Sequence, residues 1–199
     1  WHRSLREICS DCQFQKSLLP YSHRALDDAS AHGHIDVLQW WFNRYIFHGN
    51  QFRHTHMAID NASERGHQHV LNWWWWKKIN HDIEFRYHYA IDWASARGKL
   101  ETLDWWYKKA LAGEIDFLHS SMAVDQAAIH EEYDTLEWWH SHRDSVGWKC
   151  TEKPIIHACQ YGKTDVLDWF FTKYCLGELE MNYTHLSFDT AAVYGRIDV

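Results

Sequence analysis

Apolar and polar positions along the chain fall into one block that returns about every 33 residues. The first clear copy is Ala25-Leu-Asp-Asp-Ala-Ser-Ala-His-Gly33-His-Ile-Asp-Val-Leu-Gln-Trp40-Trp41. It returns from Ala58 to Trp74 and from Ala90 to Trp106, with weaker copies from Ala123 and Pro154 and a truncated one from Ser187. A central alanine marks each copy: Ala29, Ala62, Ala94, Ala127, Ala158 and Ala191. Within a block, spacing suited to 3.6 residues per turn predicts two helices separated by a tight turn. Ile35, Val37, Leu38, Trp41, Phe42 and Tyr45 share one apolar arc of the second helix, opposite Asp36, Gln39, Asn43 and Arg44.

The punctuation agrees with that reading. Ser22, Thr55, Ser120, Thr151 and Thr184 precede the first helix and can cap it through a side-chain oxygen, whereas Tyr87 breaks the column. Asp27, Asp60, Asp92, Asp125 and Asp189 suit the positive end of a helix. Gly33, Gly66, Gly98, Gly162 and Gly195 close the first helix, where positive φ is usual. Glu131 stands in that place in the fourth copy and predicts strain or a changed turn there. The expected architecture is all-α: a solenoid of stacked helix-turn-helix repeats over residues 22–199, each burying its apolar face on its neighbours. Residues 1–21 read as the tail of a preceding repeat and a long connector, so a fragment of a longer array with apolar faces at its ends is expected.

Composition narrows the function. The 199 residues include 14 Trp, 10 Tyr and 9 Phe, enough aromatic area for a core. A formal charge of −7 opposes nonspecific nucleic-acid binding. The 17 His make the charge strongly pH-dependent, and a solubility minimum is expected near the sequence pI of about 6.2. Five Cys at irregular spacing, no signal peptide and no long apolar run point to an intracellular protein, cytoplasmic or nuclear, with no membrane association. Asn61-Ala-Ser63 and Asn182-Tyr-Thr184 match the glycosylation pattern by coincidence.

The order Ala-[Leu/Ile]-Asp-x-Ala-Ser-x-x-Gly-His-x-x-Val-Leu-x-Trp-Trp resembles the ankyrin repeat. Lys153-Pro154-Ile155-Ile156-His157-Ala158-Cys159 comes closest to the start of that family's pattern, and Gly33-His34 and Gly66-His67 keep its Gly-His. The resemblance covers about residues 20 to 199. It departs from the family in replacing the repeat's His by Asp and its second-helix aliphatics by Trp-Trp. The connector that forms the family's β-hairpin is absent, so the resemblance implies an ankyrin-like solenoid with β-hairpin fingers reduced or absent. It implies a non-enzymatic protein-protein interaction scaffold, monomeric apart from exposed ends, that binds a protein partner on a concave face. Carried over by position, the candidate contacts are His32, Arg65, Arg97, His130, Tyr161 and Tyr194, extended by connector residues Arg53, His54, Arg86 and His119. These vary while the framework repeats.

Other features carry less. Trp40, Trp73, Trp105, Trp138 and Trp169 are identical in all five copies but lie outside the main apolar arc. Packing between repeats is the expected role, with an exposed aromatic ladder as the alternative. The pairs His32-x-His34, His54-x-His56, His67-x-His69 and His140-x-His142 would share a face only in a strand, so no metal site is expected. Cys9-x-x-Cys12 lacks two further ligands. His130-Glu131-Glu132-Tyr133-Asp134 has Asp where a metalloprotease helix needs His. No catalytic motif, cofactor or metal is assigned. Two alternatives remain open: a substrate-recognition segment of a larger enzyme, and a His-rich metal- or pH-responsive module.

Overall fold

A computed structural model describes residues 21–196. Its described residues form eleven helices and no strand. The expectations for residues 1–20, including Cys9-x-x-Cys12 and the tail of a preceding repeat, lie outside the described residues. The helices come in pairs: α1 (Arg24–Ala31) with α2 (Ile35–His48), α3 (Met57–Glu64) with α4 (Gln68–His81), and α5 (Ala90–Ala96) with α6 (Leu100–Leu111). Next come α7 (Met122–Ile129) with α8 (Tyr133–Val146) and α9 (Lys153–Tyr161) with α10 (Thr164–Cys175), then α11 (His185–Val193). None of these helices is long and apolar enough to cross a membrane.

The first helices pack side by side in chain order, α1 on α3, α3 on α5, and so on to α11. Alanine makes this possible. Ala62, Ala94, Ala127 and Ala158 are fully buried, as are Ala58, Ala90 and Ala123, so neighbouring backbones approach without a side chain between them. The second helices contact one another much more sparsely, and indole rings span the wider gaps between them.

Each first helix ends in the same turn. The N–H after the turn glycine donates back to the central alanine carbonyl, as in His34 to Ala29 at 2.9 Å and Lys99 to Ala94 at 2.9 Å. Gly33, Gly66, Gly98, Gly162 and Gly195 all have positive φ. Glu131 adopts the same conformation at φ 62, and Asp82 is the other described non-glycine residue with positive φ. Space matters as well as φ. A Cβ on Gly66 would lie 3.1 Å from the Lys99 stem, and one on Gly98 would run into the Glu132 carboxylate. The fourth turn instead meets the fifth through an ion pair, Glu131 with Lys163.

Three kinds of bond join neighbouring units. In the first, a buried Asp of one unit binds the start of the next first helix. Asp27 accepts the Thr55 N–H (2.9 Å) and hydroxyl (2.7 Å). Asp92 does the same with Ser120, and Asp125 with Thr151. Asp60 faces the Tyr87 break in the column and accepts the His88 and Tyr89 N–H groups and a bond from His56 Nδ1. Those aspartates hold the next unit, a longer-range role than the helix-end charge expected of them. The hydroxyls also cap: Ser22, Thr55, Ser120 and Thr151 accept the N–H two residues on. Thr184 caps through a reciprocal pair with Ser187.

In the second, a buried indole N–H crosses to a buried serine of the preceding unit. Trp74 donates to Ser30 (2.9 Å), Trp106 to Ser63 (3.1 Å) and Trp139 to Ser95 (3.0 Å). The fifth unit has Phe170 at this position, and the serine it would meet is Ala128. Donor and acceptor are lost together, which avoids a buried polar atom without a partner.

The third involves the identical tryptophans. Trp73, Trp105, Trp138 and Trp169 each donate to the residue before the corresponding tryptophan of the preceding unit: Gln39, Asn72, Asp104 and Glu137, at 2.7–3.1 Å. Four residues after Trp40 and after each of these lies a cationic or titratable group: Arg44, Lys77, Lys109, His142 and Lys173. Lys77 Nζ sits 3.6 Å from the Phe42 ring centroid and 5.0 Å from Trp73. Lys109 lies between Trp75 and Trp105, and His142 between Tyr107 and Trp138. Lys77 is only 3% exposed, and burial pushes its ammonium below the usual lysine range. Among the described residues no carboxylate pairs with it, and ring faces hold it instead.

Candidate functional site

The framework engages the repeated Asp, Ser, Thr and Trp side chains between units, so the exposed residues that vary define the candidate surface. His32, Arg65, Arg97, His130, Tyr161 and Tyr194 are all exposed. Five of them are the residue that closes a first helix, and Tyr161 is the last residue of α9. They line up along the edge where first helix turns into second.

A second column stands one helical turn earlier: Asp28, Asn61, Trp93, Gln126, His157 and Thr190, each four residues before one of the six. These are exposed or half-exposed. They include the Tyr89–Trp93 stack, with centroids 5.6 Å apart, and His157 against Tyr161 at 4.5 Å. The sequence held the signal. This is the variable position just before the central alanine in every copy, and a spacing of four puts it on the same face as the residues already singled out.

The connector residues fall elsewhere. First helices start at the connectors and end at the turns, so Arg53, His54, Arg86 and His119 lie a helix length, roughly 12 Å, from the six. Arg53, His54 and Arg86 line a separate hollow with Tyr45, Phe52 and Asp82. Arg86 pairs with Glu84. His54 packs on Trp74 (4.5 Å) and His119 on Trp139 (4.7 Å), and His119 Nε2 bonds the Val146 carbonyl at 2.9 Å. Burial lowers the His54 pKa. Both imidazoles serve internal packing.

At the centre of the turn edge a cleft of about 560 Å³ opens between the turns of the second, third and fourth units. Arg65, Arg97 and His130 from the candidate set line it, with Glu64, Ala96, Lys99 and Glu132. Arg97 Nε bonds Glu64 at 3.0 Å.

The remaining motifs resolve simply. His67 and His69 bond carbonyls of the first turn, Ala31 at 3.2 Å and Gly33 at 3.1 Å, and burial followed by the nearby His69 lowers the His67 pKa. His130-Glu131-Glu132 forms a turn and not the helix a metalloprotease motif requires. Among the described residues no three His, Cys, Asp or Glu side chains come together as a metal site. The tryptophan ladder is graded: Trp40 is 47% exposed, Trp73 and Trp169 are half-buried, and Trp105 is 7% exposed, with Trp138 close to it. Comparison with protein-family models, curated proteins and solved structures gives no match.

Proposed function

We propose that this chain is a non-enzymatic protein-interaction scaffold of the ankyrin kind, a solenoid in which plain loops replace the β-hairpin fingers. Close packing of the alanine-lined first helices against wider spacing of the tryptophan-bearing second helices favours curvature toward the first-helix side. That side is then the concave face, and it carries both variable columns. One observation supports the reading most. The positions that repeat are engaged between units, while His32, Arg65, Arg97, His130, Tyr161 and Tyr194 vary among three residue types and are exposed. A surface of Arg, His and Tyr on a rigid frame suits protein contact, since little side-chain or backbone order is lost on binding.

The test is affinity capture from a lysate with the wild-type chain and with an Arg65, Arg97 and Tyr161 triple alanine variant. A partner retained by wild type and lost by the variant at unchanged melting temperature supports the reading. Equal capture by both refutes it for this face.

A further inference from the structure

The cleft at the centre of the turn edge carries an excess of basic side chains, and two separate columns of the repeat make it so. The residue closing the first helix is Arg at 65 and 97, against His, His, Tyr and Tyr in the other units. The residue after the turn glycine is Lys99 in the third unit, where the first and second have His34 and His67 and the fourth Glu132; the fifth has Lys163, which pairs with Glu131, and the sixth Arg196.

Arg97 is paired with Glu64. Among the described residues no carboxylate pairs with Arg65 or Lys99. Glu132 sits over Gly98 as the one unpaired acid in the lining, and His130 adds charge when protonated. First-helix C-termini and second-helix N-termini meet at this edge, so their opposed dipoles largely cancel and the side chains decide the local field. The result is a net positive, polar cleft on a chain of formal charge −7.

We propose that this cleft takes an acidic peptide segment of a protein partner, with Arg65 and Lys99 pairing to its carboxylates and Arg97 held ready by Glu64. The planar Arg65 guanidinium can bind one carboxylate through two parallel N–H bonds. Lys99 offers a point charge whose stem is already fixed over Gly66. A basic cleft on a chain of net negative charge also orients an acidic partner toward it. This inference rests on the protein-binding reading and names the chemistry of the partner.

The test uses fluorescence anisotropy with fluorescein-labelled octaglutamate, octaglutamine and a DNA duplex of equal charge. At about 50 mM NaCl octaglutamate binds and octaglutamine does not, and about 500 mM NaCl releases it. Arg65→Glu weakens binding at least tenfold, Lys99→Gln weakens it severalfold, and Glu132→Gln tightens it, each with an unchanged circular dichroism spectrum. Octaglutamate binding that is equal in wild type and Arg65→Glu overturns the proposal, and so does equal or tighter binding of the duplex. Octaglutamate failing to bind, while the triple alanine variant still loses a captured partner, overturns the acidic ligand alone. Failure of both experiments overturns the protein-binding reading as well.

Discussion

A single carboxylate shows how much one position in the repeat does. Asp92 is buried and accepts both the N–H and the hydroxyl of Ser120, at 2.9 and 2.6 Å. Asp92→Ala would leave both donors without their acceptor at a unit boundary. We expect a loss of about 2–3 kcal/mol, read as a lower midpoint in urea unfolding. Glu131 is the opposite case. A left-handed conformation costs a side-chain-bearing residue about 1 kcal/mol relative to Gly, and its half-exposed pair with Lys163 returns less than that. Glu131→Gly should therefore raise the melting temperature by a few degrees, and a lower one would show that the ion pair outweighs the strain. The strain was legible from a missing glycine; the compensating lysine was not, because it belongs to the next turn.

Between elements, the indole–serine bonds join a second helix to the first helix of the preceding unit, 43 or 44 residues away in sequence. The fifth unit offers a natural control, since Phe170 and Ala128 replace the pair together. Phe170→Trp alone would bury an N–H without an acceptor, at a cost of about 1–3 kcal/mol. Adding Ala128→Ser should recover about 1 kcal/mol of coupling in a double-mutant cycle. Strict additivity of the two substitutions would mean that the fifth unit docks differently from the others. The repeating columns were visible along the chain. Their pairing was not, because it depends on which face of one helix meets which face of another.

For the whole molecule, histidine burial sets the response to acid. His54, His67, His140 and His157 are all held below the ordinary value of 6.5, burial being the main cause in each. For His140 the Lys173 charge acts in the same direction. A group depressed in the folded state takes up its proton more readily when unfolded, so unfolding gains protons as pH falls. Stability should be full above about pH 6.5 and decline as pH descends through the folded values. Urea midpoints measured between pH 8 and 5 test this, and a midpoint that rises on acidification would contradict it. Charge neutralisation near the sequence pI of about 6.2 acts separately, on solubility.

The amino-acid sequence by itself determined the period, the helix pairs, the turn positions and the columns that vary. All of these follow from spacing along one chain, where helical geometry converts residue number into direction. Tertiary structure decided what each column touches. It turned the aspartates and tryptophans into bonds between units and drew His54 and His119 onto tryptophan rings. It also separated the connectors from the turn edge by a helix length, and gathered Arg65, Arg97 and Lys99 around one cleft. Those outcomes depend on neighbours roughly 20 to 45 residues away, and no local pattern specifies such contacts until the helices have packed.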